Sequence, residues 1–503
     1  MPKETPEKLD LRSMDITDEK KRQLKQLFPE VFREDKVDFD HLKRVLGEWV
    51  DPGKERFGLQ WPGKADCMKT IQQPSIATLR PDREESVNFD ETENLFIEGD
   101  NLEVLKLLQK SYFGKVKMIY IDPPYNTGNE FIYPDNYTES LDTYLKYTGQ
   151  KDEEGNWQST NRDTEGRFHS KWLNMMYPRL FLAKNLLKDD GAIFISIDDH
   201  EMANLKKLCD DIYGQENYIG QFPWRKRTAK SDVPFGVSQD YEWVIGYAKN
   251  ELIAGLSVER KYHYTEDFGE DGWRLSDLTN QRSAEERPNS AFNMVDPKTG
   301  KEYPYNPKRV WAVSKDTFQD YYDKGKIVFP DDYDFLNITI PSYRVFESED
   351  REKALKKYGT EEPIKAASTH LPKYIGMNED GNKEMVELFG YKIFSFPKPS
   401  SLIKHFIDII HDKEAIILDF FAGSCSTAHA VLKQNQEDDG NRKFVMVQLP
   451  EPTEEKSEAK KAGFDTIADI GKERIRRVIE QIKEAQKEYP PDQVHLFRGL
   501  IAS

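Results

Sequence analysis

One short stretch constrains the fold of this chain more than any other: an apolar run over 116–121 that ends in Asp122, Pro123, Pro124 and Tyr125. The run predicts a buried β-strand. Two consecutive prolines fix φ and remove two N–H groups, so we expect the chain to leave the sheet edge in a stiff turn. The carbonyl oxygens of that turn are predicted to point outward without partners. The turn therefore offers hydrogen-bond acceptors to a ligand.

These acceptors suit the exocyclic amine of a nucleobase, which carries two protons. The carboxylate of Asp122 and the carbonyl oxygen of Pro124 can accept one proton each. The ring of Tyr125 offers a face on which an extruded base can stack. An amine held in this way is drawn towards a tetrahedral lone pair, which is nucleophilic. Taken alone, however, such a tetrapeptide is more often a rigid loop with an incidental acid.

A second element lies far along the chain, over 415–430. Its sequence predicts a buried strand, a tight turn of small residues and the start of a helix. Open α/β sheets bind nucleotide-like ligands at the carboxyl ends of their strands, where glycine allows close approach of the backbone. Asp419 and Gly423 fit that position. The turn has neither the G-x-G-x-x-G spacing of dinucleotide sites nor the ending of a P-loop, so a cofactor without a pyrophosphate is favoured.

The two elements resemble motifs IV and I of amino-methylating, S-adenosylmethionine-dependent DNA methyltransferases. Motif IV comes first, as in the circularly permuted β group. More narrowly, the chain resembles the modification subunit of type III restriction systems. The supporting stretches occur in the order expected of that family: 94–102, 122–128, 190–199, 396–399 and 441–451.

The resemblance implies a fold and a division into regions. The fold is a doubly wound, Rossmann-like α/β sheet that is circularly permuted and carries an inserted α+β target-recognition domain. The inserted domain is expected where predicted strands become short and turns frequent. The predicted regions are an N-terminal accessory segment (1–90), a first methyltransferase part (91–249), the target-recognition domain (250–390), a second methyltransferase part (391–452) and a C-terminal helical segment (453–503).

The resemblance also implies the residues of the site. The target base would be held by Asp122, Pro123, Pro124 and Tyr125. The S-adenosylmethionine pocket would be formed by Asp100 near the adenine, Asp419 near the amino-acid end, Lys398 near the methionine, and Phe421, Gly423, Ser424 and Gln448. For Lys398, a solvated surface lysine is the alternative interpretation. No sequence pattern predicts a metal site.

Two positions depart from the family pattern. The turn has Cys425 where the family has a second glycine, and a positive φ there would strain the backbone. Gln448 stands where an acid usually accepts from both ribose hydroxyls, and an amide accepts only through its oxygen. Glu451 is a candidate substitute. We expect S-adenosylmethionine to bind despite both changes.

The choice of target base follows from the nucleophile that each reaction needs. Methylation of cytosine C5 needs a thiolate, and none of Cys67, Cys209 and Cys425 follows a proline in the motif used for that chemistry. In the family, Asp at the first motif IV position is typical of adenine N6, which makes Asp122 favour adenine over cytosine N4. The prediction is a site-specific adenine-N6 methyltransferase of double-stranded DNA that flips its base. Cytosine-N4 or RNA amino-methylation, and a catalytically weak specificity subunit for a nuclease partner, stay open.

The formal net charge of −17 means that any DNA-binding surface must concentrate the basic residues. One stretch does so, with Arg225, Lys226, Arg227 and Lys230 close together and no acid between them. A solvated basic loop is the alternative. We predict that this stretch contacts the DNA backbone near the flipped base.

Partners and compartment are predicted from absent patterns. No apolar run approaches the length of a membrane span, and the three cysteines give no disulfide framework, so a cytoplasmic protein is expected. No P-loop motif is present, so an ATP-driven restriction activity would need a separate helicase or nuclease subunit. A homodimer is a further possibility that the sequence leaves open.

Overall fold

The computed structural model describes residues 14–27, 32–33, 36–39, 42, 59–127, 168–228 and 237–488, except 253, 259, 359, 361 and 362. The chain forms two compact units. The larger unit combines Met1–Ala254 with Ala367–Ser503, and the smaller unit is Gly255–Ala366. None of the helices in the described ranges has the length and apolar character that crossing a membrane requires.

The larger unit is built on a seven-stranded sheet. Its strands, in chain order, are β3 (Leu95–Glu98), β4 (Val116–Ile121), β5 (Leu187–Ile197), β6 (Tyr218–Arg225), β7 (Tyr241–Ala248), β15 (Ile416–Asp419) and β16 (Lys443–Gln448). The order in the sheet is β3-β16-β15-β4-β5-β7-β6. The first five strands are parallel, and β7 is antiparallel to both of its neighbours. All six residues of β4 are buried, as expected of a central parallel strand.

Helices accompany the strands along the chain. Those of the larger unit are α1 (Ile16–Leu27), α2 (Lys64–Gln72), α3 (Asn101–Tyr112), α4 (Phe168–Leu186), α5 (Met202–Tyr213), α8 (Asn378–Phe389), α9 (Ser400–Ile410), α10 (Ser426–Asp438), α11 (Glu458–Lys461) and α12 (Ile467–Glu488). A two-stranded ladder pairs β1 (Phe32–Arg33) with β2 (Lys36–Val37).

Side chains of β4 show that helices cover both faces of the sheet. Ile119 and Ile121 join an apolar cluster with Leu105 of α3 and residues of α4. Tyr120, which alternation places on the other face, has its ring 6.3 Å from the ring of Phe406 in α9. The sheet is therefore a doubly wound α/β sheet, which confirms the predicted fold class.

The strand order also confirms the predicted permutation. Strands β15 and β16 come from the second half of the chain, yet they lie between β3 and β4. In the parallel ladder Leu418 pairs with Ile119. The residues that follow β4 and β15 therefore emerge side by side at the carboxyl edge of the sheet.

The smaller unit combines short antiparallel ladders with two helices. Its strands are β8 (Leu256–Ser257), β9 (Trp273–Ser276), β10 (Met294–Val295), β11 (Glu302–Tyr303), β12 (Ile327–Val328), β13 (Ser342–Phe346) and β14 (Ile364–Lys365), and its helices are α6 (Lys315–Asp323) and α7 (Glu347–Tyr358). Strands β12, β13 and β9 form one sheet, and β8 pairs with β14 at the two ends of the unit. This composition is α+β.

The bounds of the smaller unit differ from those expected for the target-recognition domain. Residues 378–389, which we assigned to that domain, form α8 of the larger unit. Met385 and Phe389 of α8 pack in one apolar cluster with Ile470 and Val478 of α12. The apolar face of α8 is thus buried against the C-terminal helix. That the smaller unit recognises DNA stays a prediction.

Candidate active site

A cavity of about 780 Å³ opens at the carboxyl ends of β4 and β15. Both sequence elements contribute to its wall, and the residues that line it include Asp122, Pro123, Pro124, Tyr125, Lys398, Phe421, Gly423 and Gln448. Its volume lies within the range of small-molecule sites. Segments that are far apart in sequence thus share one cavity, because the permuted strand order places β15 beside β4.

The proline turn after β4 is fixed by an aromatic residue of α4. The indole N–H of Trp172 donates to the carbonyl oxygen of Pro124 at 2.7 Å, and Trp172 is fully buried. The prediction that the turn carbonyls have no partners is therefore wrong for Pro124. A carbonyl oxygen has two lone pairs, so Pro124 can accept a second proton.

Asp122 and Tyr125 are joined by a buried lysine. The Lys398 ammonium lies 3.0 and 2.9 Å from the two carboxylate oxygens of Asp122 and 2.7 Å from the Tyr125 hydroxyl. The hydroxyl donates to Asp122 at 2.8 Å. Lys398 is 7 % exposed, so its interpretation as a solvated surface lysine is wrong.

Glu242 in β7 completes this group, which we call the charge cluster: Asp122, Tyr125, Glu242, Lys398 and Lys226. Its carboxylate lies 3.4 Å from the Lys398 ammonium and 3.3 Å from that of Lys226. Sequence reasoning missed Glu242. The available signal was a single acid inside an otherwise apolar strand.

Burial and charge act in opposite directions on the pKa values of the cluster. Burial raises the pKa of Glu242, but the ammonium groups of Lys398 and Lys226 outweigh it and hold that pKa below its usual value. Burial lowers the pKa of Lys398, and the carboxylates of Asp122 and Glu242 reverse this, so its pKa is raised. The pKa of Tyr125 is raised by burial and by the same carboxylates. Glu242 and Lys398 are therefore charged at neutral pH, and Tyr125 keeps its proton.

On the other side of the cavity, Asp419 fixes the glycine turn. Its carboxylate accepts from the backbone N–H of Phe421 at 3.0 Å and from the Thr427 hydroxyl at 2.6 Å. Burial raises the pKa of Asp419 to about 7. Asp419 is 3 % exposed, so its carboxylate stabilises the turn from the protein interior.

The turn has left-handed backbone at two positions. Gly423 has φ +50° and Cys425 has φ +60°, so Cys425 does carry the strain expected of a side chain at that position. Room for the side chain comes from α12. A Cβ at Gly471 would lie only 2.8 Å from the Cys425 sulfur. Gly471 thus leaves the space that Cys425 fills.

Gln448 is engaged with the backbone. Its side-chain oxygen accepts from the N–H of Gly423 at 2.6 Å, and its amide donates to the carbonyl oxygen of Leu449 at 3.1 Å. Gln448 therefore ties the end of β16 to the glycine turn. Glu451, the candidate substitute for a ribose contact, also lines the cavity.

Asp100 and Ser424 support the site from outside the cavity wall. Asp100 accepts from the N–H of Glu103 at the start of α3 and lies 3.4 Å from the guanidinium of buried Arg179. The hydroxyl of Ser424 accepts from Arg474 of α12 at 3.1 Å. Neither residue is among those that line the cavity, and their contacts with a cofactor stay predictions.

A family model described as DNA methylase matches residues 116–484, which include both walls of this cavity. The chain belongs to the DNA methylase family. The predicted family is thereby confirmed.

Two relatives of this chain are Mod subunits. The type III restriction-modification enzyme StyLTI Mod subunit of Salmonella typhimurium is 34% identical over 454 residues, which cover 86% of this chain and 64% of that protein. The EcoP15I Mod subunit of Escherichia coli is 31% identical over 504 residues, which cover 90% of this chain and 74% of that protein. The chain thus spans less than two thirds of the StyLTI subunit.

Among solved structures, PvuII DNA methyltransferase (cytosine-N4-specific) aligns with 76% of this chain and 94% of its own chain. The TM-score is 0.32 and the identity 12%. The doubly wound fold of this chain follows from its own sheet order.

The predicted basic stretch of this chain is partly paired with acids. Lys226 pairs with Glu242, and the Arg227 guanidinium lies 3.9 Å from Asp240. Arg225 is exposed at the end of β6. Lys230 lies outside the described residues. A contact of this stretch with DNA phosphates stays a prediction.

Proposed function

We propose that this chain is a site-specific DNA methyltransferase that transfers a methyl group from S-adenosylmethionine to N6 of adenine in double-stranded DNA. One observation carries the proposal: the proline turn and the glycine turn face one cavity. The first offers acceptors and an aromatic ring, and the second offers the half-buried backbone of Gly423 beside Phe421. A donor and an extruded base could meet there.

The residues on the proline-turn side orient the amine. Asp122 accepts one N–H of the adenine amine, and the second lone pair of Pro124 accepts the other. The ring of Tyr125 stacks on the base. Orientation and exclusion of water then favour in-line attack of N6 on the methyl group. After transfer N6 carries a surplus proton, which the carboxylate of Asp122 is placed to take.

The residues on the glycine-turn side suit the methyl donor. S-adenosylmethionine supplies a methyl group on a sulfonium that leaves as a neutral thioether. The backbone at Gly423 leaves space above it, since a Cβ there would meet only the Phe394 ring at 3.7 Å and the Phe421 carbonyl oxygen at 4.0 Å. Phe421 offers its ring to the adenine, and Glu451 offers a carboxylate to the ribose hydroxyls in place of Gln448.

The similarity to Mod subunits supports a place in a restriction-modification system. We infer that a separate restriction subunit joins this chain on DNA, and that the protein works in the cytoplasm beside its substrate. Adenine is preferred to cytosine because the tetrapeptide begins with Asp122. RNA and cytosine N4 are the alternative substrates, and a weakly catalytic specificity subunit is the alternative role.

Sequencing of host DNA for modified bases, with and without the gene, tests the proposal. We expect N6-methyladenine in one sequence context only when the gene is present. The purified protein should transfer label from S-adenosylmethionine to duplex DNA and not to RNA. Modified cytosine would support the N4 alternative, and absence of any modified base together with intact DNA binding would support the specificity subunit.

A further inference from the structure

The Lys398 ammonium lies at the position where the proposed function places the amine of the target adenine. It has three protons, and it lies within hydrogen-bond distance of Asp122, Tyr125 and Glu242. Both oxygens of Asp122 are within 3.0 Å of this ammonium. The rings of Tyr125 and Trp224 lie 5.0 and 5.5 Å from it. The ammonium thus holds the Asp122 carboxylate to which the proposed function assigns the base amine.

An ammonium beside Asp122 conflicts with methyl transfer. The nucleophile is the lone pair of N6, and an N–H donor within hydrogen-bond reach would bind that lone pair. Lys398 also competes with the amine for the carboxylate of Asp122. Because the ammonium lies within 3.0 Å of both oxygens of Asp122, an amine held there keeps a free lone pair when Lys398 has moved away from Asp122.

Glu242 offers the ammonium a second position without a large movement. The distance from the ammonium to the Glu242 carboxylate is already 3.4 Å. Glu242 is 7 % exposed, and its carboxylate pairs with Lys226. It also lies 3.1 Å from the Tyr125 hydroxyl, whose one proton can point to Glu242 in place of Asp122. A buried charge that leaves one partner needs another, since an unpaired buried charge is costly. Glu242 meets that need.

We propose that Lys398 occupies the amine position in the base-free enzyme and moves from Asp122 to Glu242 when the target base enters. Glu242 is then a positioning residue that acts through Lys398. The inference rests on the proposed function, because it concerns the capture of the adenine amine. It goes beyond that function because it makes Lys398 a competitor of the target amine. Glu242 is the residue that binds Lys398 after the amine has displaced it.

A pair of DNA duplexes isolates the amine. One duplex carries adenine at the target position of the methylated sequence, and the other carries purine, which lacks the amino group. With S-adenosylhomocysteine present, the ratio of their dissociation constants measures how much the amine contributes to binding. A purely structural change in the pocket shifts both constants and leaves their ratio unchanged.

Lys398→Met and Glu242→Gln should move this ratio in opposite directions. Lys398→Met frees Asp122 for the amine, and we expect the preference for adenine to rise about tenfold, which corresponds to about 1.4 kcal/mol. Glu242→Gln removes the second position and leaves Lys398 on Asp122, so the preference should fall below that of the unmodified protein. Glu242→Asp keeps the charge and should restore the preference.

A matched control is the exposed pair Glu458 and Lys461, whose charged atoms are 2.7 Å apart. Glu458→Gln and Lys461→Met should leave the ratio unchanged. An unchanged ratio in Lys398→Met and Glu242→Gln, with adenine methylated by the unmodified protein, would overturn this inference alone. No methyl transfer by the unmodified protein to the adenine duplex would overturn the proposed function, and the inference with it.

Discussion

The two walls of the cavity are held in different ways. On the proline-turn side, the charge cluster joins Asp122, Glu242, Lys398 and Lys226 through ion pairs. On the glycine-turn side, backbone N–H groups and hydroxyls are held by Asp419 and Gln448. In the charge cluster Lys398 and Glu242 each have two oppositely charged partners. Asp419 and Gln448 instead bind backbone N–H groups and one hydroxyl of the glycine turn and the helix that follows it. The first wall can therefore rearrange around a base, and the second is a fixed support for the cofactor.

The comparison also separates two kinds of motif residue. Asp122 and Tyr125 present their side chains to the cavity, while Asp419 and Ser424 turn theirs to the protein interior. On the glycine-turn side the cavity is lined by the backbone of Gly423, the ring of Phe421 and the side chain of Glu451, among others. The predictions below test this division from the largest expected effect to the smallest.

Asp122→Ala should have the largest effect on activity, and this effect should be confined to the proline-turn side of the cavity. Removal of the acceptor should slow methyl transfer about a thousandfold, since it removes both the grip on the amine and its orientation. The affinity for S-adenosylmethionine, measured by calorimetry, should stay close to that of the unmodified protein. Normal turnover by this variant would disprove the assigned role of Asp122.

Arg474→Met should damage the opposite wall. The guanidinium is fully buried and donates to the hydroxyls of Ser424 and Ser426, and it pairs with Glu384 at 2.9 Å. Arg474→Met takes the ion-pair partner from the half-buried Glu384 carboxylate, which keeps its bonds from Ser400, and takes a donor from the hydroxyls of Ser424 and Ser426. The free energy of unfolding should therefore fall by about 3 kcal/mol. Urea unfolding measures this loss, and cofactor affinity should fall with it. Arg476→Met, at a partly exposed arginine of the same helix, is the control.

Asp419→Asn should change how stability depends on pH. The folded pKa of about 7 exceeds the unfolded value of about 3.9, so the native state keeps a proton that the unfolded state has lost. Protonated Asp419 therefore stabilises the native state by about 2–4 kcal/mol below pH about 4. This stabilisation is lost as the pH rises to about 7. The asparagine variant should lose this part of the pH dependence. Unfolding at pH 5 and pH 7.5 checks it, and identical slopes for the two proteins would contradict the assignment.

Gly471→Ala should give the smallest effect. Alanine is the better helix former, but its Cβ would lie 2.8 Å from the Cys425 sulfur and 3.1 Å from the carbonyl oxygen of Gly423. We expect a loss of about 1–2 kcal/mol in unfolding free energy and weaker cofactor binding. The double variant with Cys425→Gly should recover part of the loss. A stabilised Gly471→Ala would show that the turn and α12 are not in close contact.

Much of the fold was accessible from sequence because its signals are local. The apolar run over 116–121 and the strand–turn–helix pattern over 415–430 each predict an element, and their order predicts the permutation. The sequence showed that Cys425 replaces a glycine of the turn, and the structure gives this position its positive φ. The bounds of the inserted unit were less accessible, because α8 has an ordinary amphipathic sequence and only its packing on α12 assigns it to the larger unit.

The roles of individual side chains were harder to predict. The partner of Lys398 is 276 positions away, and the indole that binds Pro124 comes from a separate helix. The sequence predicted Gln448 as a cofactor-binding residue, but its side-chain oxygen accepts a hydrogen bond from the backbone N–H of Gly423. Such pairings depend on which strands become neighbours, and spacing along the chain does not encode them.

Leu256–Ser257 pairs antiparallel with Ile364–Lys365. This pairing places the first and last residues of the inserted unit side by side. A segment with adjoining ends can be replaced by another of different length without altering the span that the rest of the chain must bridge. Under the proposed function, recombination between these points would exchange the DNA sequence that is selected and leave the chemistry untouched. New specificities could then arise in one event, with no need to rebuild the cavity.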